Sequence, residues 1–79
     1  MTVEVVYFAI LREQRGLSRE RLSEAVDTYG DLYELLRSRH GFTLPSALVK
    51  VAANDAFREM SDPLAEDDVV VFVPPVAGG

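Results

Sequence analysis

The sequence lacks cysteine and tryptophan, and it contains a single histidine and a single lysine. Without a thiol, the chain cannot form a disulfide, a thiolate nucleophile or a cysteine-ligated metal site. One histidine cannot build the clusters that hold zinc, and we expect His40 at the surface near the end of a helix. Lys50 is the only lysine, so it is the only side-chain amine that can accept an isopeptide bond from another protein.

The chain also lacks a long apolar run and an excess of basic residues. No run approaches the roughly 18–20 apolar residues of a membrane span. The first residues do not show the basic and then apolar pattern of a signal peptide, so we expect a cytoplasmic protein. The net charge of −5 leaves no basic stripe for a nucleic-acid backbone.

The composition that is present predicts one small domain over residues 1–79. A hydrophobic share of 48% is enough for a single core. A chain of this size has no room for a core and a deep small-molecule cleft together. A self-sufficient enzyme is therefore disfavoured.

Two segments at opposite ends of the chain predict the buried strands. Residues 3–10 are rich in β-branched and aromatic side chains, which favours a strand. Residues 69–73 are uninterrupted apolar residues, as in a central strand covered on both faces. Pro74 ends this strand because proline cannot donate to the ladder. As the most hydrophobic segments, the two strands are expected side by side.

The connections between these strands predict one long helix and several short elements. Residues 11–15 favour a short helix that ends at Gly16 in a left-handed conformation. Residues 18–26 suggest a partly exposed strand antiparallel to the first, although propensity alone allows a helix. Residues 49–53 and 56–59 read as strands joined by a turn at Asn54-Asp55.

The clearest helix runs from Thr28 to Gly41. Leucines recur on one face at i, i+3 and i+4, at Leu32, Leu35 and Leu36. Thr28 is the expected N-cap, with Asp31 at capping-box spacing, and Gly30 is an alternative cap. Gly41 supplies the C-terminal stop.

The acidic segment Glu66-Asp67-Asp68 admits two interpretations. Consecutive acids can resemble a metal cluster, but residues in one loop do not define a cage. We expect a solvated turn and no metal site.

The chain ends in Pro74-Pro75-Val76-Ala77-Gly78-Gly79. The prolines fix φ near −65° and favour an extended, stiff exit from the sheet. Two glycines without side chains can enter a channel that is too narrow for a Cβ atom, or they can form an idle frayed end. The tail alone leaves both readings open.

Four features together resemble a known family along the whole chain. They are Tyr7-Phe8-Ala9-x-x-Arg12-Glu13, the Ala53-Asn54 turn, Leu64 before the acidic loop, and the Pro-Pro-Val-x-Gly-Gly ending at residues 74–79. This pattern is similar to the MoaD-like small subunit of molybdopterin synthase, a ubiquitin-like sulphur carrier. The resemblance implies an α+β fold of the β-grasp (ubiquitin-like) type, a mixed sheet with one main helix packed across it. The tail would begin at about residue 74.

The resemblance also implies a function centred on the last residue. In that family an ATP-dependent activating enzyme adenylates the C-terminal glycine, here Gly79 following Gly78, and sulphur then replaces AMP to give a thiocarboxylate. The tail enters the large synthase subunit, which carries the catalytic side chains and converts a pyranopterin precursor to molybdopterin. The expected assembly is a heterotetramer. This chain would be a non-catalytic subunit that binds no cofactor itself, and the ATP is used by the activating enzyme.

Seven residues are candidates for partner binding: the resemblance implies an interface role for Phe8 and Arg12, Phe57 is an aromatic beside a turn, and the others belong to the exit from the last strand. They are Phe8, Arg12, Phe57, Val73, Pro74, Pro75 and Val76. Core packing is an equal alternative for Phe8 and Phe57, and Arg12 can be a solvated charge. Val73 departs from the aromatic that often precedes the two prolines, so the contact there is smaller.

Three other functions remain open at this point. The chain can be a sulphur carrier for thiamine or cysteine synthesis, a ubiquitin-like protein modifier, or a β-grasp interaction module with an inert tail. Carriers for thiamine synthesis are usually shorter and lack the Pro-Pro segment. A modifier that forms chains needs acceptor lysines, and only Lys50 is present.

Overall fold

A computed structural model describes residues 1–76, so the predictions that concern Gly78 and Gly79 lie outside the described residues. The elements in chain order are β1 (Thr2–Tyr7), α1 (Ala9–Arg15), β2 (Arg19–Ser23), α2 (Tyr29–His40), β3 (Lys50–Ala53), β4 (Ala56–Arg58) and β5 (Val69–Val73). A short 3-10 turn, Ser46–Leu48, precedes β3.

The five strands form one mixed sheet in the order β2-β1-β5-β3-β4. The central strands β1 and β5 are parallel, and every other neighbouring pair is antiparallel. The prediction that the first and last strands lie side by side is confirmed. The β-grasp fold with one main helix is also confirmed, because the only other α-helix in residues 1–76, α1, has seven residues.

One face of the sheet packs against α2 and forms the core. Alternate residues of β1, β5 and β3 point into it, including Val3, Val5, Val70, Phe72 and Val51. From α2, the Tyr33 ring lies edge-on to Phe72 with ring centroids 5.2 Å apart. Burial of side chains of this size contributes about 1.5–3 kcal/mol each, so this layer accounts for most of the cohesion.

The other face of the sheet, here called the open face, is not covered. The prediction that 69–73 is buried on both sides is therefore wrong. Val69 is 37% exposed, and Val71 and Val73 are half-buried. The valine run is a central strand, but the described chain has no second helix layer to cover its outer face. The consequence is a strip of partly exposed valines along β5 on the solvent side of the sheet.

The first strand is shorter than its apolar run predicts. Phe8 has extended backbone angles and acts as the N-cap of α1, and Ala9 has a φ of 51°. This left-handed residue turns the chain out of the sheet, so residues 8–10 belong to the turn and helix rather than to a strand. The helix ends as expected at Gly16, with a φ of 82°.

The ends of α2 match the capping prediction. The Thr28 hydroxyl accepts the Asp31 backbone N–H at 3.0 Å, and the Asp31 carboxylate accepts the Thr28 N–H at 3.3 Å. Gly41 closes the helix with a φ of 71°. Gly30 is not the cap; it lies inside the first turn, where its N–H donates to the Met60 carbonyl at 2.8 Å.

The acidic loop is only partly a solvated turn. Glu66 and Asp67 are exposed, but Asp68 is 5% exposed and accepts three hydrogen bonds. The donors are the Tyr29 hydroxyl at 2.7 Å, the Asn54 side-chain amide at 2.8 Å and the Ala65 N–H at 2.9 Å. Asp68 thus joins α2, the β3–β4 turn and the start of β5.

The turn between β3 and β4 is the predicted one. Asn54 and Asp55 have φ values of 53° and 70°, as a two-residue hairpin turn requires. The Asn54 carbonyl oxygen of the side chain also accepts the Val69 N–H at 3.0 Å. The turn is therefore fixed to the first residue of β5.

His40 is not a freely exposed residue. It is half-buried beside Phe42, with ring centroids 5.9 Å apart. Burial, together with the positive charge of Arg15, lowers the pKa of His40. The neutral imidazole is therefore favoured, which differs from the expectation of a surface histidine at a helix end.

Two further properties of residues 1–76 bear on function. No group of three or more histidine or acidic side chains in this region is arranged to hold a metal ion. None of its helices has the length and apolar character needed to cross a membrane.

Candidate functional site

The sheet carries the chain to an exit at the end of its central strand. β5 ends at Val73, Pro74 is buried, and Pro75 and Val76 are exposed, Val76 to 84%. Since β5 is paired on both sides, its end is held by its neighbours β1 and β3. Only three residues of the sequence, 77–79, follow the last described residue.

An open groove of about 690 Å³ lies beside this exit and is here called the exit groove. Its lining residues are Phe8, Ala9, Ile10, Glu13, Leu44, Val73, Pro74, Pro75 and Val76. Phe8 is 47% exposed there, so the core interpretation of this side chain is not correct. One wall is α1, a second is Leu44, and the third is the exit itself.

Hydrogen bonds hold the first two walls together. The Gln14 side-chain amide donates to the Thr43 hydroxyl at 3.0 Å, and its oxygen accepts the Thr43 N–H at 3.2 Å. The Tyr33 hydroxyl donates to the Leu44 carbonyl at 2.7 Å. Burial raises the pKa of Tyr33, which keeps its hydroxyl protonated as a donor. The groove is therefore formed before any partner arrives.

The far end of α1 is fixed by a second polar group. Arg15 contacts Glu20 through two hydrogen bonds of 2.6 and 2.8 Å, and the Tyr7 hydroxyl donates to the same carboxylate at 2.6 Å. The hydrogen bond from Arg15 lowers the pKa of Glu20, and burial together with Glu20 raises the pKa of Tyr7. This cluster joins β1, α1 and β2 and so fixes the helix that forms the groove wall.

The open face adds a line of apolar side chains, here called the apolar row, in which Phe57 is exposed and the other members are half-buried. Val6 is opposite Val71, Val71 is opposite Ala52, and Ala52 is opposite Phe57. Phe57 is 76% exposed on the edge strand β4, so it does not cap the core. An exposed aromatic at the end of an apolar row is a feature of protein-binding surfaces.

Residues 5–79 of the sequence match the ThiS family. The chain belongs to the ThiS family. The matched region includes β5, the exit and the Gly78-Gly79 ending. A search of curated proteins found no match to this ThiS-family chain.

Several solved structures are similar to this ThiS-family chain. A candidate molybdopterin converting factor subunit 1 from Pyrococcus furiosus is 28% identical, with a TM-score of 0.78 over 96% of this chain and 99% of that chain. SAMP1, a small archaeal modifier protein of Haloferax volcanii, is 27% identical with a TM-score of 0.78 over 100% of both chains. A complex of subunits 1 and 2 of the molybdopterin-converting factor from Helicobacter pylori is 26% identical, with a TM-score of 0.67 over 100% of both chains.

Together, the family and these neighbours give the chain the fold of a ubiquitin-like sulphur carrier. A carrier fold does not specify which pathway receives the sulphur, because function belongs to sites and not to folds. The neighbours include both a molybdopterin factor and an archaeal modifier.

The structure brings most of the predicted partner-binding residues together at the exit. Phe8, Val73, Pro74, Pro75 and Val76 all line the exit groove. Pro74 is buried, so it fixes the direction of the exit more than it offers a surface. Two other predicted residues lie elsewhere: Arg12 is exposed on α1 outside the groove lining, and Phe57 is in the apolar row.

Sequence reasoning missed four residues of the groove, namely Ala9, Ile10, Glu13 and Leu44. Ala9 and Ile10 lie in the segment that the sequence predicts as the first strand. The left-handed turn at Ala9 places these residues in the groove, and no residue type in the segment predicts that turn. Leu44 precedes Pro45, which marks an extended backbone but not its neighbours in space.

Proposed function

We propose that this ThiS-family chain is the small subunit of molybdopterin synthase and carries sulphur on the carboxylate of Gly79. The main observation in support is the way the chain leaves the sheet after β5. The central strand ends in a buried proline, and Pro75 and Val76 leave the domain beside an exposed Phe8. The likeness to molybdopterin factor subunits, at 26% and 28% identity over nearly the whole chain, supports this pathway.

The chemistry requires activation of an unreactive group. An oxygen of the Gly79 carboxylate attacks the α-phosphorus of ATP on an activating enzyme, and pyrophosphate leaves. Hydrosulphide (HS−) from the sulphur donor then attacks the carbonyl carbon of the mixed anhydride, AMP leaves with the electron pair of the broken C–O bond, and the thioacid loses its proton to water. Forming the anhydride splits one difficult substitution into two easier ones. The product is a C-terminal thiocarboxylate, which is a softer nucleophile than the carboxylate.

Two enzymes have to hold the same tail in turn. One is the activating enzyme that uses ATP, and the other is a large synthase subunit that takes the sulphur to a pyranopterin precursor. In this proposal the large subunit supplies the catalytic side chains, and the complex contains two copies of each subunit. Glycines at positions 78 and 79 fit narrow channels because no Cβ atom collides with the walls.

Intact mass after activation tests the proposal. The full chain is incubated with an activating enzyme encoded in the same genome, ATP and a sulphur donor. We expect a mass gain equal to the difference between a sulphur and an oxygen atom, and loss of that gain when the large subunit and precursor are added. If the mass of the chain does not increase with an activating enzyme that is shown to load another sulphur carrier, the proposal is contradicted.

A protein modifier is the second candidate, since the chain is 27% identical to SAMP1. It predicts Gly79 in isopeptide linkage to lysines of other proteins, detectable as a branched peptide after digestion. Carriers for thiamine or cysteine synthesis would gain the same mass but pass the sulphur to another acceptor. An interaction module with an inert tail would bind its partner equally well without Gly78 and Gly79.

Truncation of Phe57 tests the apolar row as part of the partner surface. Phe57→Ala should change the free energy of unfolding by less than about 0.5 kcal/mol, because the side chain is 76% exposed. We expect binding to the large subunit to weaken by about tenfold or more, as for a buried aromatic contact. The measurement is titration calorimetry, with urea unfolding for stability.

Leu48→Ala is the matched control, since Leu48 is also exposed but lies in the 3-10 turn outside the apolar row. It should leave the affinity within twofold of the unaltered chain. Equal affinities for Phe57→Ala and Leu48→Ala would remove Phe57 from the partner surface.

A further inference from the structure

His40 lies where the ends of both helices meet the sheet. It is the last residue of α2, and Arg15 is the last residue of α1. The Phe42 ring is a neighbour of His40 and of Tyr7 on β1, with ring centroids 5.9 Å from each. His40 is also the only histidine of the chain, so the titration of an imidazole can be assigned to this position without ambiguity.

Two polar contacts hold the end of α1 close to this histidine. The first is the pair of Arg15 and Glu20, here called the α1 anchor, which is joined by two hydrogen bonds. The second is Gln14, whose side chain makes two hydrogen bonds with Thr43 in the loop after α2. His40 ends the helix that leads into this loop, so both attachments of α1 lie beside it.

The charges around His40 are balanced while its ring is neutral. The charged and titratable groups that surround it are Arg15 of α1, Tyr7 of β1, Glu20 of β2, Glu24 after β2 and Arg39 of α2. Both carboxylates are already paired with an arginine at 2.6 Å. Within residues 1–76 His40 forms no ion pair of its own. A proton on His40 therefore adds a third positive charge to the group, and neither of its carboxylates is free to receive that charge.

Burial and the positive charge of Arg15 oppose this proton and lower the pKa of His40, although the charge of Glu20 and the C-terminal end of α2 favour it. Glu20 stays ionised in the same pH range, because the hydrogen bond from Arg15 lowers the pKa of its carboxyl group. The charge that changes in this group between pH 7.5 and 5.5 is therefore that of His40. Since the folded chain favours the neutral ring, stability decreases as the pH falls below about 6.5, the pKa of a histidine in an unfolded chain.

We propose that His40 is a pH sensor whose protonation releases the end of α1 from the sheet. The imidazolium repels Arg15 and competes with it for the carboxylate of Glu20, so the α1 anchor weakens as the pH falls from 7.5 to 5.5. Because α1 forms one wall of the exit groove, its release also weakens the binding of a partner there. This last step rests on the proposed function, whereas the release of α1 does not.

Two NMR measurements on the full chain alone test the sensor. The ring-proton shifts of His40, followed from pH 8 to 5, should give a pKa below the value of about 6.5 for an unperturbed histidine. The amides of residues 13–16, corrected for intrinsic exchange rates, should lose protection about threefold or more between pH 7.5 and 5.5, while those of the central strand β5 keep theirs. A pKa of about 6.5 or above, or unchanged protection of α1, would overturn the inference.

Two substitutions at position 40 separate the charge states. His40→Gln cannot take up a proton, so the amides of α1 should stay protected down to pH 5.5. His40→Arg is always charged and should show the weakened protection of α1 already at pH 7.5. Ser38→Arg is the matched control, because it adds the same charge at an exposed position two residues earlier, which does not share a helix face with His40. It should leave the protection of α1 at pH 7.5 within twofold of the unaltered chain, and thermal unfolding shows whether each variant is folded.

Binding of the recombinant large-subunit homologue from the same genome tests the step from α1 to the groove. We expect its affinity for the unaltered chain to fall about threefold or more from pH 7.5 to 5.5 relative to its affinity for His40→Gln, which cancels any titration of the partner itself. Equal pH dependence of the two affinities would remove this step. If His40→Gln loses protection of α1 in acid as the unaltered chain does, the sensor is wrong and the carrier function stands. If the chain neither gains sulphur nor binds, but α1 responds to His40 as described, the proposed function fails and the sensor stands.

Discussion

Deletion of Gly79 should abolish sulphur loading and leave the domain folded. The shortened chain still ends in a carboxylate, but in the proposed reaction that carboxylate lies one residue, about 3.5 Å, short of the position from which it attacks the α-phosphorus of ATP. Near-attack geometry is needed for the adenylation step, and a misplacement of even 1 Å can cost about a hundredfold. We therefore expect no detectable mass gain where the full chain is converted.

The deletion should leave the stability of the folded domain unchanged. Glycine has no side chain to bury, and the hydrophobic core is built from residues between Val3 and Phe72. The melting temperature should therefore stay within about 2 °C of the unaltered chain, read by circular dichroism. Lys50→Arg is the matched control, because it alters the only lysine and should load normally. Loading of the shortened chain at the normal rate would mean that the last residue is not the reactive one.

Most of the fold could be predicted from the sequence because its local signals agree with its packing. Residue types predicted the backbone geometry correctly at three kinds of position. These are the Thr28–Asp31 capping box, the left-handed glycines at 16 and 41, and the Asn54-Asp55 turn. The valine run of β5 also predicted correctly that this strand is central in the sheet. The run could not show that only one face of the strand is covered, because valine occurs both in a core and on an exposed apolar surface.

The candidate site could be predicted where chain neighbours form it, and at Phe8 through the family resemblance. Val73, Pro75 and Val76 are adjacent in sequence, and the proline pair identifies them. Leu44 and Glu13 line the groove because α1 packs against the loop after α2. No pattern in a single sequence predicts that contact. Asp68 shows the same limit, since its buried position depends on Tyr29 and Asn54 from other parts of the chain.

Asp68→Asn should destabilise the domain by about 2–3 kcal/mol. The carboxylate accepts from the Tyr29 hydroxyl, the Asn54 amide and the Ala65 N–H, and an asparagine turns one accepting oxygen into a donor. One of the three donors is then left unpaired in a buried place, with loss of charge-assisted hydrogen bonds. For a domain of this size the melting temperature should fall by about 10 °C or more.

The neighbouring Asp67→Asn is the matched control. Asp67 is exposed, and its ion pair with Arg21 is on the surface, so the loss should be no more than about 0.5 kcal/mol. Asparagine also tolerates the φ of 64° at this position. Equal destabilisation by the two substitutions would mean that burial of Asp68 does not matter.

The pH dependence of the difference between Asp68→Asn and the unaltered chain identifies the carboxylate as its source. Burial of Asp68 works to raise its pKa, but the Ala65 N–H, Tyr29 and Asn54 outweigh burial and lower the pKa below its usual value. Burial and Asp68 in turn raise the pKa of Tyr29 to about 12, so its hydroxyl remains a donor at neutral pH. A carboxylate with a lowered folded-state pKa stabilises fully above its unfolded value of about 3.9, and this stabilisation is lost as the pH falls through the folded pKa. In urea unfolding the stability difference should be constant from about pH 5 to 7 and shrink below about pH 4; a difference that stays the same at pH 3 would show that the charged carboxylate is not what holds β5 to α2.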